Sequence, residues 1–503
     1  MTSPGPTSSD AWDDLPEQLR VRSEKRAALL SAGRTLYALT ERPTYTLAAI
    51  RSGWAELGAD KHSGVVVTVV ARVVRVRVTG KLCFARLRDG DGTELQAMLS
   101  LADVGAEALA DFKAYVDLGD LVAVTGEVIG SRSGELSVNA AQWSMVSKAL
   151  RPLPVEHKPL SEESRVRQRY LDLIGSPDAR QMVRTRAAIT DAVRTSLRER
   201  GYLEVETPIL QNLHGGSAKP FSTRFNALGT TVYLRTNFEL ALKKALVGGI
   251  HRVFELGRSF RNEGLDATHS AEFTELEAYE AFGDLASMAE LIRAIVLDAA
   301  QAAGGPLVPD GRGGQLDLSR GWSWLGIHDA VAANVGEAVD LDTDPDTLRR
   351  LAAMHEVDVT GRVSAGEIVL VLFEKLVEPT LREPTFVYRY PTDVRPLASP
   401  NPDDPRLAEA FDLIVLGTEL APAYTELADP VVQRQRLVEQ ARRAAAGDEE
   451  AMQLDEDFLR ALEHGMPPAG GMGMGIDRLV MLLTGVTGIR DTILFPAVRP
   501  ERS

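Results

Sequence analysis

The chain of 503 residues carries 56 Lys and Arg against 71 Asp and Glu, a formal net charge of −15, with 44% hydrophobic and 25% charged residues. This is an ordinary globular composition with room for two or three cores; its acidity excludes a nonspecific nucleic-acid coat, which needs clustered cations to release counterions. One cysteine, Cys83, excludes an internal disulfide and a cysteine-rich zinc site, and no run of 18 apolar residues predicts a membrane span.

Residues 1–14 are polar and Pro/Ser-rich and read as a disordered tail. They lack the basic start and apolar stretch of a signal peptide, so the expected compartment is the cytoplasm. Residues 15–60 open with LPEQLRVRSEKRAALLSAG, a predicted helix. Its Arg20, Arg22, Lys25 and Arg26 read first as a solvated charged face and second as a nucleic-acid contact.

Residues 61–150 change character. GVVVTVVARVVRVRV, KLCFARLRDG, TELQAML, DLVAVTGEVIG and GELSVNA are short β-branched runs cut by Gly and Asp-Gly, with one helical insert, LADVGAEALADFKAYV. Five such strands predict a small barrel, with the OB-fold as leading candidate. Residues 151–164 form a linker marked by prolines.

From Arg165 to residue 503, long helices mix with antiparallel-looking strands, and neither a Walker A sequence nor GxGxxG occurs; the expectation is an α+β domain. RTRAAITDAVRTSLRERG is an amphipathic helix closing on Gly201 as a C-cap. YLEVETPIL reads as a strand with Pro208 near its end. FELGRSFRNEGLDATHSAEF and the following TELEAYEA lack the helical period and read as strand, loop, strand, with Arg258 and Arg261 near the end of the first strand. Residues 285–400 read as less regular, with GGPLVPDGRGG a surface loop. GGMGMGIDRLVMLLTG reads as a Gly-rich strand and turn running into a helix.

Arginines at the mouth of a hairpin suit an anion, because the planar guanidinium binds phosphate at two points and stays charged. FDLIVLGTEL offers Asp412 and Glu419, acids of the kind that hold Mg²⁺ together with phosphate oxygens. Taken alone, an RxxR pair reads as ordinary salt-bridged arginines and the two acids as charges on an exposed strand.

The long helix with YLEVETPIL, the FRNEG hairpin and GMGMGIDR together resemble the three signature motifs of class II aminoacyl-tRNA synthetases. With GKLCFARLRDGDGTELQ, GELSV, SRVRQRYLDLI, FRNEGLDATH, ELADP, GMPP and GMGMGIDRLVMLLT included, nearly the whole chain is similar to the class II lysyl-tRNA synthetases. It is similar also to the synthetase half of bifunctional proteins that make lysyl-phosphatidylglycerol. The resemblance implies a class II catalytic domain on an antiparallel sheet over 165–503, preceded by an OB-fold anticodon-binding domain. It implies ATP and Mg²⁺ as cofactors, lysine and tRNA(Lys) as partners, and a homodimer with no membrane association.

In that family the carboxylate of lysine attacks the α-phosphate of ATP, a step run by positioning and electrostatics without a protein nucleophile. By resemblance Arg261 holds the α-phosphate and Arg478 clamps the γ-phosphate, while Phe273 stacks on adenine and Glu263 and His269 frame the nucleotide. Asp412 and Glu419 fall at the acidic metal positions. Glu239, Glu277 and Glu426 fall at the substrate-binding glutamates, and Tyr279 at the tyrosine facing the substrate side chain. Gly215 matches the glycine whose carbonyl meets the α-ammonium.

In the barrel Phe84 matches a base-stacking residue, Gln96 and Glu135 match base readers, and Arg77 a backbone or base contact; a core phenylalanine is the plain alternative for Phe84. The chain departs from the family pattern near the amino acid, with Asn237-Phe238 for Ala-Pro, Pro422 for Asn and Lys219 for Arg, and further at Ala271 for Pro and Ala428 for Asn. The alternative expectation is a specialised synthetase paralogue that adenylates lysine or a related amino acid for another product or a non-tRNA acceptor.

Overall fold

The computed structural model describes residues 16–37, 42–154, 160–213, 218–445 and 452–499. The expected tail at 1–14, residues 155–159 of the expected linker, and Gly215 lie outside the described residues. The chain divides into two compact units, Met1–Arg180 and Gln181–Ser503.

In the first unit the strands His62–Thr79, Leu82–Arg88, Glu94–Ser100, Leu136–Ser147 and Leu121–Gly130 close in that order into a barrel. All pairs are antiparallel except Glu94–Ser100 with Leu136–Ser147. The first strand serves two neighbours, pairing with Leu121–Gly130 up to Arg72 and with Leu82–Arg88 from Arg72 onward. Alternation with a period of two sends Val69, Ala71 and Val73, Cys83, Ala85 and Leu87, and Leu95, Ala97 and Leu99 inward, all buried. Burial pushes the Cys83 thiol up, with Lys113 pulling the other way. The helical insert is two helices, Leu101–Val104 and Ala106–Tyr115, and Phe112 of the second meets Trp143 edge-on at 5.0 Å.

The helix expected near the N-terminus spans Glu17–Ser31, but two of its cations, Arg22 and Lys25, are not on a solvated face. Arg22 Nη1 donates to the carbonyls of Leu118 (3.0 Å) and Ala149 (3.1 Å). Lys25 pairs with Asp117, which also takes the buried Lys148. Arg22 and Lys25 therefore dock the helix within this unit through carbonyls and acids that the sequence does not place beside it. Arg20 remains exposed.

The second unit is built on an eight-stranded sheet. Its order is Ser323–Gly326, Thr385–Tyr388, Ala410–Val415, Thr418–Thr425, Ala469–Gly475, Glu272–Ala281, Arg252–Phe260 and Leu203–Glu204. The two edge pairs are parallel and all inner pairs antiparallel. On one face Phe254, Leu276, Ala278, Leu413 and Met472 pack under helices Pro177–Glu199 and Leu285–Ala303. On the other, Val253 and Tyr279 join a second cluster with helix Glu239–Val247.

YLEVETPIL is not one strand. Leu203–Glu204 pairs with the main sheet, whereas Leu210–Gln211 joins a separate three-stranded sheet, and Pro208, which has no N–H for a ladder, stands between them. Residues 285–400 are more regular than expected, holding helices Leu285–Ala303, Ile327–Val335, Pro345–Met354 and Ala365–Leu372. Their caps were in the sequence: Asp284 accepts from Ser287 N–H, Asp344 precedes Pro345, and Ser364 with Glu367 forms a capping box. GGPLVPDGRGG contributes Leu307–Pro309 to a hairpin with Gln315–Asp317.

Candidate active site

Register assembles the site. Glu275, Glu277 and Tyr279 stand opposite Gly475, Gly473 and Gly471, so all six face the same side of the sheet, away from Met472 and Met474 in the core. The glycines leave room above the strand. A Cβ at Gly471 would overlap both Glu426 Oε1 and the Tyr279 ring. Side chains that approach from neighbouring strands and helices therefore find an open floor between them.

At one end lie the groups expected to meet ATP. Arg261 follows the strand Arg252–Phe260 directly, its N–H bonded to Ala271 O (2.9 Å) and its guanidinium carbon 5.0 Å from the centre of the Phe273 ring. Its Nε is buried with no partner among the described residues. Arg258 does not join it; it is exposed and lies 3.7 Å from Glu272, so the plain salt-bridge reading holds for that arginine. Arg478 donates to Glu419 O (2.9 Å) and its Nη2 lies 3.3 Å from His269 Nε2, while His269 Nδ1 is held by Asp266 at 2.8 Å. Hydrogen bonds from the backbone of Thr268, then from His269, hold the Asp266 carboxyl down at about 2.

Beside Arg478, the buried Asp477 takes Arg186 at 2.5 Å and the Thr274 N–H at 2.7 Å, fixing the helix Ile476–Thr484 against the sheet. Glu263 sits on the exposed loop and accepts from Lys219 N–H (3.4 Å). That loop borders a cavity of about 1290 Å³ rimmed by Lys219, Arg362, Arg436 and Arg443.

Asp412 and Glu419 are not on an exposed strand: every residue of Ala410–Val415 is buried, and Glu419 is half-buried on Thr418–Thr425. One Asp412 oxygen is held by Arg395; the other, Oδ1, is buried with no partner among the described residues. Burial, then the Asp412 charge, pushes Glu419 up. Glu378, absent from the sequence-based set, accepts from the Glu419 N–H (3.2 Å) and is pushed up to about 7 by burial and by Glu419. Crowded buried acids with an orphaned oxygen form an arrangement that a hard cation relieves. Among the described residues no three or more His, Cys, Asp or Glu are arranged to hold a metal by themselves.

At the other end are the groups expected to meet the amino acid. Glu277 accepts from Tyr279 OH (3.1 Å) and from the Phe238 N–H, a donor that a proline in that place would lack. Burial first, then Glu275 and Glu239, raises Glu277 well above the usual carboxylate range. Glu426 is 1% exposed, and burial pushes it up to about 7 against the pull of Lys243. Pro422 faces Gly473 at the same floor.

Sequence reasoning missed Lys243, which is fully buried with its ammonium between Glu239 (2.7 Å) and Glu426. The i,i+4 spacing from Glu239 was legible; the burial was not. It also missed Glu275, bonded by Ser259 OH and raised by burial with Arg261 opposing.

In the barrel, half-buried Phe84 and Gln96 and exposed Arg77 stand on the outward phase of strands whose other phase is the core, and half-buried Glu135 directly precedes the strand Leu136–Ser147. Phe84 is thus not a core residue. Arg77 lies 4.9 Å over its ring, and Gln96 Nε2 donates to Ser137 Oγ (3.0 Å). Arg86, not foreseen, holds Glu135 at 3.0 Å.

The family described as tRNA synthetases class II (D, K and N) matches residues 161–499. The chain belongs to this family. The class II synthetase unit is joined by a match to the OB-fold nucleic acid binding domain over residues 67–146, and membership implies use of ATP. A lysine–tRNA ligase of Kineococcus radiotolerans is 52% identical over 495 residues, 98% of this chain and 99% of that protein. One of Mycolicibacterium gilvum is 50% identical over 98% of this chain and 99% of its own length. A lysylphosphatidylglycerol biosynthesis bifunctional protein of Mycobacterium marinum is 47% identical over 97% of this chain but 44% of its own length. Among the described residues of this synthetase no helix is long and apolar enough to cross a membrane.

Proposed function

We propose that the chain is a lysine–tRNA ligase, which activates lysine with ATP and transfers it to the 3′ end of tRNA(Lys). The observation that carries this reading is the acidic end of the site, where Glu239, Glu277 and Glu426 surround an aromatic wall at Tyr279. A substrate with a side-chain ammonium and an α-ammonium needs such acids, whereas an aspartate pocket needs cations. Relatives named lysine–tRNA ligase, about half identical over nearly the full length, support the same substrate.

In this reading Arg261, with its unspent Nε–H over Phe273, meets the α-phosphate, and Phe273 the adenine. Arg478 meets the γ-phosphate, held by Glu419 O and His269, with Glu263 on the loop side. Fixed cations of this kind stabilise charge as it passes to pyrophosphate, at no cost of reorganisation. Asp412 Oδ1 and Glu419 would hold Mg²⁺, which offsets charge on the triphosphate when bound. Gly215 remains assigned to the α-ammonium.

The barrel reads the anticodon, with Phe84 as stacking platform, Gln96 and Glu135 at base edges and Arg77 on the backbone. The protein works in the cytoplasm as a homodimer. Leu203, Ile209 and Leu210, around the two short strands of YLEVETPIL, stay exposed in the single chain and suit a partner copy.

Pyrophosphate exchange over a panel of amino acids, followed by charging of tRNA with labelled lysine, tests the proposal. Lysine should give the dominant exchange, and lysyl-tRNA should form. Exchange with a different amino acid, or lysine exchange without charging, would replace it with the specialised paralogue.

A further inference from the structure

Lys243 is a lysine with none of its surface exposed, on helix Glu239–Val247 behind the amino-acid pocket. Its ammonium is hydrogen-bonded to Glu239 Oε1 at 2.7 Å and ion-paired with Glu426 Oε2. Glu426 Oε1 has no hydrogen-bond partner among the described residues and lies where a Cβ on Gly471 would be, next to the Tyr279 ring. A buried carboxylate oxygen left unpaired beside an open glycine floor is costly unless a ligand satisfies it. Each glutamate thus gives one oxygen to Lys243.

We propose that Lys243 is a positioning residue of the pocket: by holding one oxygen of Glu239 and one of Glu426, it fixes both carboxylates so that their remaining oxygens meet the two ammonium groups of the substrate. The inference rests on the lysine reading above. It explains why a pocket for a dication contains a permanent cation. Glu239 is close enough to oppose ionisation of both Glu277 and Glu426, and without an internal counter-ion these would stay protonated and bind an ammonium poorly. Lys243 supplies that counter-ion from the scaffold side, where it does not compete for the oxygens facing the pocket. The groups facing Glu426 are Lys243 and Glu239 from the helix and Tyr279 from the central strand; the strand Ala469–Gly475 carries no titratable side chain. Burial works against the Lys243 charge, but the two glutamates outweigh it and keep the ammonium protonated.

The test is lysine-dependent pyrophosphate exchange by the full chain, wild type against Lys243→Met, across pH 6 to 8.5, with ATP varied separately. Met fills the same space without charge. The expected result is a rise in KM for lysine of about 10²-fold at pH 7 with KM for ATP nearly unchanged, because two carboxylates, Glu426 buried and Glu239 half-buried, lose their partner. The pH at which kcat/KM for lysine rises should also move up, by about one unit or more. Parallel losses for lysine and ATP, or an unmoved pH midpoint, would overturn the proposal.

Should Lys243→Met fail to fold, the double variant Lys243→Met/Glu426→Gln removes one of the two stranded carboxylates as well. It should then use lysine no more than about tenfold less well than Glu426→Gln alone, the share of Lys243 that acts through Glu239. A loss of about 10²-fold or more beyond that of Glu426→Gln would count against the proposal. No wild-type exchange with lysine overturns the functional reading and this inference with it; wild-type exchange with variants that fail these tests overturns the inference alone.

Discussion

The barrel and the catalytic sheet place their candidate functional side chains in opposite ways. In the barrel, Phe84, Gln96 and Arg77 stand on the outward phase of strands whose inward phase beside them is Cys83, Leu95 and Val76. In the sheet, Glu275, Glu277, Glu426 and Asp412 are themselves buried. An outward residue can change with little effect on packing or on its neighbours' protonation. A buried acid is tied to every charge around it, so Glu277, Glu419 and Glu426 all leave the usual carboxylate range. Perturbations should therefore be separable in the barrel and entangled in the sheet.

The largest effect that tests this contrast is at Arg261. Arg261→Ala should lower lysine-dependent pyrophosphate exchange by about 10³-fold or more, with melting temperature retained, since a charged transition-state donor is lost. Normal exchange by the folded variant would remove Arg261 from the chemistry. Glu426→Gln comes next, with lysine use down about 10²–10³-fold as the substrate ammonium and Lys243 both lose a carboxylate. ATP kinetics measured alongside show whether the loss is confined to one end of the site.

Phe84→Ala carries the contrast into the barrel. It should weaken tRNA charging by about 1–3 kcal/mol, one stacked base, while exchange without tRNA stays at the wild-type rate. Equal losses in both assays would deny the barrel its separateness. The smallest effect is a pH profile. Glu426 is protonated below about 7, so the charge that attracts the substrate ammonium is lost as pH falls. kcat/KM for lysine should accordingly rise by about tenfold from pH 6 to 8 and level off above, while tRNA affinity through the barrel shows no such step.

Much of this was legible. The barrel followed from alternation and Gly punctuation, and the hairpin and the last strand from motifs that carry their own chemistry. What was not legible depends on the third dimension. Lys243 reads as one more surface lysine in LALKKAL until the fold closes over it. Arg258 and Arg261 look equivalent in the sequence, yet the pleat and the strand end send one to solvent and the other over Phe273. Pro208 was read through rather than as a break, and the helices of 285–400 were overlooked although Asp344-Pro345 and Ser364…Glu367 marked their starts.

Cys83, the chain's one thiol, is fully buried on the inward phase of the strand that presents Phe84. A thiol reagent can reach it only when the barrel wall opens, and the second unit offers no competing site. The unaltered protein thus contains a built-in clock for one of its halves. Labelling rates at Cys83 time the opening of the barrel alone, and their slowing when RNA is added would measure how tightly a ligand holds that wall shut.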